Sequence, residues 1–119
     1  MTFYEIKNYA PINETEEAHV MELAESIKNN GFVGCPILVS EMFGMLVTGS
    51  HRVAAIKYLN DNDEYGEYED LECAENVDDI LETYCEREEV TLDQIDFGNL
   101  SPIFEGTWVE AYKNEIIEW

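Results

Sequence analysis

Positive charge is what this sequence lacks most. Against 27 Asp and Glu it sets 6 Lys and Arg, a formal net charge of −21 over 119 residues. A surface that grips nucleic acid neutralises phosphates with clustered Lys and Arg, so neither direct DNA or RNA binding nor a DNA-cutting site is expected. Histidine is also scarce: His19 and His51 are the only two, too few for a site rich in nitrogen ligands, and no metal centre is expected. Three cysteines, Cys35, Cys73 and Cys85, form no CxxC pair and are odd in number. Neither a disulfide framework nor a zinc knuckle is indicated, and a reducing cytoplasm fits best. No apolar run approaches the roughly 18 residues of a membrane span. No basic segment leads into a long apolar one near Met1, so an export signal is not expected either.

What is present suits one compact domain: 45% apolar residues in a chain of this length can build a real core. The charge is unevenly placed. Residues 1 to 59 hold seven acids against four bases, a net of −3, whereas residues 60 to 119 hold twenty acids against Arg87 and Lys113, a net of −18. Such self-repulsion destabilises a compact state and favours a basic partner. Plain solubility explains it equally well.

Local patterns give the order of elements. TFYEIK (Thr2 to Lys7) alternates like a first strand. Asn13 and Glu16 resemble a capping box ahead of a helix with Val20, Leu23, Ala24 and Ile27 on one face, stopped by Gly31. CPILVS (Cys35 to Ser40) reads as a buried strand, and EMFG as the turn into a second strand, MLVT. A helix whose inner face is Val53, Ala54, Ala55, Tyr58 and Leu59 follows, with Ser50 as its cap. A short strand near Leu71 to Ala74 precedes a helix capped by Asn76. Thr91 with Gln94, and Thr107 with Glu110, mark two further helix starts, the last placing Trp108, Val109, Tyr112 and Ile116 on one face. The expected fold is mixed α/β (α+β), with a domain over residues 1–75 and an acidic helical extension over 76–119 packed on it as a single unit.

Two stretches carry candidate chemistry. TGSHRVAAIKYL (Thr48 to Leu59) turns from a strand straight into a helix. Unpaired backbone N–H groups at such a start, beside Ser50, His51 and Arg52, are how a phosphate site is built. DNDEYGEYEDLE places Asp61, Asp63, Gly66 and Glu72 at positions one, three, six and twelve of a calcium loop. Tyr65, however, stands at the fifth position, where an oxygen ligand belongs, so an acidic surface loop is the better reading.

The helix LAESIKNNG (Leu23 to Gly31), the strand motif PILV (Pro36 to Val39) and GSHRVAA (Gly49 to Ala55) occur in an order and spacing that resembles the ParB/sulfiredoxin superfamily. The match covers about Met21 to Leu59, in particular as in small ParB-like N-terminal domains of bacteria and phages. The resemblance implies a small mixed-sheet domain that binds a nucleotide, such as a nucleoside triphosphate with Mg2+. Gly49 would allow close backbone approach, and Ser50, His51 and Arg52 would face the phosphates, with Lys57 adding charge. Weak phosphotransfer or nucleotide hydrolysis is the implied activity. Ser50 stands where one branch has an acid and another its reactive cysteine, and a hydroxyl has none of a thiolate's nucleophilicity near neutral pH. Sulfinate reduction would then need Cys35, for which the sequence gives no reason.

The alternative function is a non-catalytic inhibitor or adaptor that imitates nucleic acid and occupies a basic groove on a protein partner such as a defence nuclease. Its contacts would come from Asp61, Asp63, Glu64, Tyr65, Glu67, Tyr68, Glu69, Asp70, Asp78 and Asp79. Aromatics set among carboxylates suit such a face.

Overall fold

The computed structural model describes residues 1–11, 14–62 and 68–116. Asn13, Asp63, Glu64, Tyr65, Gly66, Glu67 and Trp119 lie outside them, and so do the expectations attached to those residues.

At the centre is a three-stranded mixed sheet. The strands are β1 (Ile37–Ser40), β2 (Met45–Leu46) and β3 (Ala74–Asn76), in the order β2-β1-β3. β1 pairs antiparallel with β2 across the expected turn, and parallel with β3 in the register Ile37 to Ala74 and Val39 to Asn76. A parallel neighbour cannot be reached by a tight turn, so the chain crosses over through a helix.

All four residues of β1 are buried, because both faces of the strand are covered. Ile37 and Val39 pack with Leu46 against the helices α2 (Glu17–Asn30) and α3 (Ser50–Asp61), through Val20, Ala24, Ile27, Val53, Ile56 and Leu59. Leu38 faces the other way with Val47, onto α4 (Asp78–Glu88), α5 (Ser101–Phe104) and the 3-10 helix Trp108–Glu115. The protein is a small α+β domain in which the acidic C-terminal helices form the second layer. Leu81, Leu100, Phe104 and Val109 fill that layer and are fully buried.

The first element is a helix, α1 (Phe3–Ile6), where a strand was expected. Thr2 and Glu5 close a capping box on it, and only Phe3 and Ile6 of its residues are buried, a spacing that suits a helical turn. Thr2 keeps one antiparallel bridge to Glu72, and Phe3 N–H donates to Leu71 O at 2.9 Å. The third strand also sits later than expected, at Ala74–Asn76, because its register is set by β1.

Local signals fared better elsewhere. Gly31 ends α2 with a φ of 78° and donates its N–H to Ile27 O. Thr91 and Gln94 form the expected capping box on the 3-10 helix Leu92–Gln94. Asn76, expected as the cap of α4, is instead the last residue of β3; Val77 is the N-cap and makes no side-chain cap bond, although Asn76 Oδ1 accepts from Asp78 N–H at 3.4 Å. Within the described residues no helix is long and apolar enough to cross a membrane.

Three ion pairs occur among the described residues: Met1 with Glu72, Lys7 with Glu69, and Arg87 with Glu88. Most of the negative charge is therefore uncompensated. Raising ionic strength from about 10 mM to about 150 mM, which cuts the Debye length from about 30 Å to about 8 Å, should raise the unfolding midpoint by several degrees. A flat or falling midpoint in a salt series would count against this self-repulsion.

Candidate functional site

The turn from β2 into α3 is built around Gly49. It is the helix N-cap, in the left-handed region at φ 85°, and contributes no side-chain hydrogen bond. Ser50, the expected cap, is instead the first helical residue. The backbone N–H groups of the first turn of α3 are thus left without a capping side chain.

This helix start opens into a cavity of about 580 Å³ whose lining includes His19, Thr48, Gly49, Ser50, His51, Arg52 and Glu115. The structure therefore brings the four residues of the GSHR turn to one place. Lys57, seven residues further along α3, is exposed and is not part of this lining.

Ser50 is only 7% exposed. Its hydroxyl lines the cavity and makes no hydrogen bond to any described residue.

His51 Nε2 accepts from Glu16 N–H at 3.2 Å. The neutral ring therefore carries its proton on Nδ1. His19 meets His51 edge-on at a centroid distance of 4.7 Å, forming one wall of the cavity.

Arg52 does not reach freely into the cavity, as the sequence suggested. Its guanidinium donates to the carbonyls of Cys35 and Pro36 and lies over the Phe32 ring at 4.9 Å. Burial lowers its pKa, and the neighbouring Glu115 carboxylate partly offsets that. Arg52 thus fastens the loop that leads into β1. Arg52→Ala should lower the stability of the ligand-free protein by about 1–3 kcal/mol, since two partly buried carbonyls lose a charged donor. A midpoint unchanged in thermal unfolding would contradict this role.

Glu115 was not foreseen as a site residue. It comes from the end of the 3-10 helix Trp108–Glu115, and its Oε1 accepts from Cys35 N–H at 3.1 Å. Three residues per turn line up Val109, Tyr112 and Glu115 along one edge, so the two that pack into the second core carry the third to the cavity. The pattern read as an α-helix gave no such signal.

The cysteines supply no nucleophile. All three are free and buried. Burial raises the Cys35 thiol despite nearby Arg52, and pushes Cys73 from 9.0 to about 11. The folded protein keeps the Cys73 proton through a window in which the unfolded chain releases it. That contribution to stability is full below about pH 9 and is lost as pH rises towards about 11. Native protein at pH 8 should accordingly resist thiol alkylation at all three positions until it is unfolded; rapid labelling of Cys35 would reopen a thiolate role.

The acidic face is only partly as expected. Asp61, Asp70 and Asp79 are exposed. Tyr68 packs against the first core, and Glu69 pairs with Lys7 at 3.3 Å. Asp78 is no surface residue at all: it is 8% exposed, accepts from Ser40 Oγ at 2.6 Å and accepts from Met42 N–H at 3.0 Å. On the single face expected of the last helix, Trp108 is 46% exposed, whereas Val109 and Ile116 are buried.

Comparison with known families, with characterised proteins and with solved structures returned no match for this chain.

Proposed function

We propose that the protein binds the phosphate of a nucleotide-sized ligand in the cavity at the start of α3. The observation that carries this reading is Ser50. It lines the cavity at a helix start that has no capping side chain, and its hydroxyl has no hydrogen-bond partner among the described residues, a combination suited to an anion's oxygens. The edge-on His19 and His51 rings offer a wall for a base or sugar. The order of strand, GSHR turn and helix also underlies the resemblance to the ParB/sulfiredoxin superfamily, which implies nucleotide recognition. Magnesium would enter with the phosphates, since no group of three or more His, Cys, Asp or Glu among the described residues could hold a metal ion.

Thermal unfolding with ATP, ADP, CTP and GTP plus magnesium tests the reading. A ligand at about 100 times its Kd stabilises by about 2.7 kcal/mol, an easily read rise. Ser50→Ala is the matched control, because its hydroxyl has no partner to lose. The variant should match the parent within about 0.5 kcal/mol without ligand and bind several-fold more weakly. No rise with any nucleotide at millimolar concentration sinks the proposal.

A second reading rests on α4. Asp79, Glu82 and Glu86 are exposed at helical spacing along one side, and none of the three is in an ion pair among the described residues. Such a row suits a basic groove on a protein partner, the nucleic-acid-mimic function. Replacing the three by Lys should abolish that complex and leave the nucleotide response intact. A complex that survived roughly 0.5 M salt would speak against ionic recognition.

A further inference from the structure

We propose that the exposed Glu115 carboxylate, on the wall of the phosphate cavity, competes with ligand phosphate and must be displaced for ligand to enter; this rests on the phosphate reading above. The Glu115 seat is specific. Its Oε1 takes the Cys35 N–H, and a Cβ built on Gly34 would lie 2.3 Å from that oxygen, so any larger residue there would push the carboxylate out of this position. Gly34 also has φ +86°, in the left-handed region that other residues rarely adopt. At the other end of the same residue, Arg52 donates to Cys35 O. The loop before β1 is thus gripped by a carboxylate and a guanidinium, and both line the cavity with Ser50.

A ligand phosphate and the Glu115 carboxylate are like charges in one half-buried cavity. Their close approach is unfavourable, so the two exclude one another. The element that carries Glu115 is suited to release it. Eight residues is long for a 3-10 helix, whose hydrogen bonds are poorer than those of an α-helix. Its last bond, from Ile116 N–H to Lys113 O, spans 3.4 Å. Release of Glu115 needs only the end of this helix to move, while Val109, fully buried, and Ile116, in the second core, hold its neighbours.

The test measures inorganic pyrophosphate affinity by calorimetry for the full chain, Glu115→Gln and Gly34→Ala. Gln keeps the size of the side chain and an acceptor for Cys35 N–H but removes the charge. Ala at position 34 expels the carboxylate without altering any charge. Both variants should bind about tenfold more tightly, within the usual range of coupling between sites. Hydrogen exchange supplies the second measurement: pyrophosphate should speed exchange of the Ile116 amide in the parent protein. Equal affinity in parent and variants, or weaker binding by the variants, would overturn the latch and leave the phosphate site standing. Slowed or unchanged exchange at Ile116 would overturn it likewise. If parent and folded variants all fail to bind, the phosphate reading itself falls and the latch with it. Should Glu115→Gln not fold, Gly34→Ala and the exchange measurement decide.

Discussion

Gly49→Ala should lower the unfolding midpoint by roughly 10 °C or more. A methyl group at this position would meet Ile37 Cγ1 at 3.0 Å, Cγ2 at 3.2 Å and Cβ at 3.3 Å. Ile37 cannot give way, because it is fully buried in the first core between α2 and α3. Overpacking of that kind costs about 1–3 kcal/mol. Holding a non-glycine residue at φ +85° adds about 1–2 kcal/mol. The sum, about 2–5 kcal/mol, is a large share of the stability of an ordinary domain. At roughly 4 °C per kcal/mol for a chain of this size, the shift is easily read by calorimetry or circular dichroism. A loss of only 1 or 2 °C would mean that the strand-to-helix joint relaxes, and that Gly49 is present for ligand approach rather than for packing. The variant should also bind pyrophosphate poorly, since any shift of this joint moves the first turn of α3.

Asp78→Ala should destabilise the protein by about 2–4 kcal/mol without touching any interaction of the acidic surface. Its carboxylate accepts from Ser40 Oγ at 2.6 Å and from Met42 N–H at 3.0 Å, and Ser40 is fully buried in the central strand. Truncation leaves the buried hydroxyl and the amide without their acceptor, and each such orphan costs about 1–3 kcal/mol. The turn Glu41–Gly44 depends on the same contacts, because Ser40 Oγ in turn accepts from Phe43 N–H at 3.3 Å. The neighbouring Asp79 is exposed and serves as the control: Asp79→Ala should stay within about 0.5 kcal/mol of the parent. Chemical denaturation of the two variants side by side reads the difference. Equal midpoints would show that Asp78 is no more than another surface acid.

Both outcomes turn on residues whose meaning in the sequence was partial. Gly49 was legible as a tight strand-to-helix turn because Gly at such a joint, after MLV and before an apolar helical face, is a local pattern. The stop at Gly31, the capping box at Thr91 and Thr107 as a helix cap were legible for the same reason: a cap involves residues no more than four apart; at Thr107 the hydroxyl accepts from Val109 N–H and Glu110 reaches Gly106 instead of closing the expected box. Thr2 to Lys7 was ambiguous even locally. TFYEIK alternates like a strand but also holds a Thr2–Glu5 box with Phe3 and Ile6 three apart, and the buried positions of the helix settled it. Asp78 read as one acid among many, because nothing near it in the chain shows that Ser40, 38 residues away, would need an acceptor.

By itself the sequence determined the charge imbalance, the scarcity of metal ligands, the order of most helices and strands, and the position of the GSHR turn. These depend on composition or on hydrogen bonds and periodicities within a few residues of one another. Only the tertiary structure decided that Arg52 fastens the β1 loop, that Ser50 faces a cavity without a partner, and that Glu115 meets Cys35 from 80 residues away. Those contacts arise when two layers pack on opposite faces of one short strand, and the choice of 3-10 over α geometry at Trp108–Glu115 fixes which side chain arrives. No local pattern encodes it, because the free energy that selects it comes from burying Val109 and Tyr112 against the rest of the second core.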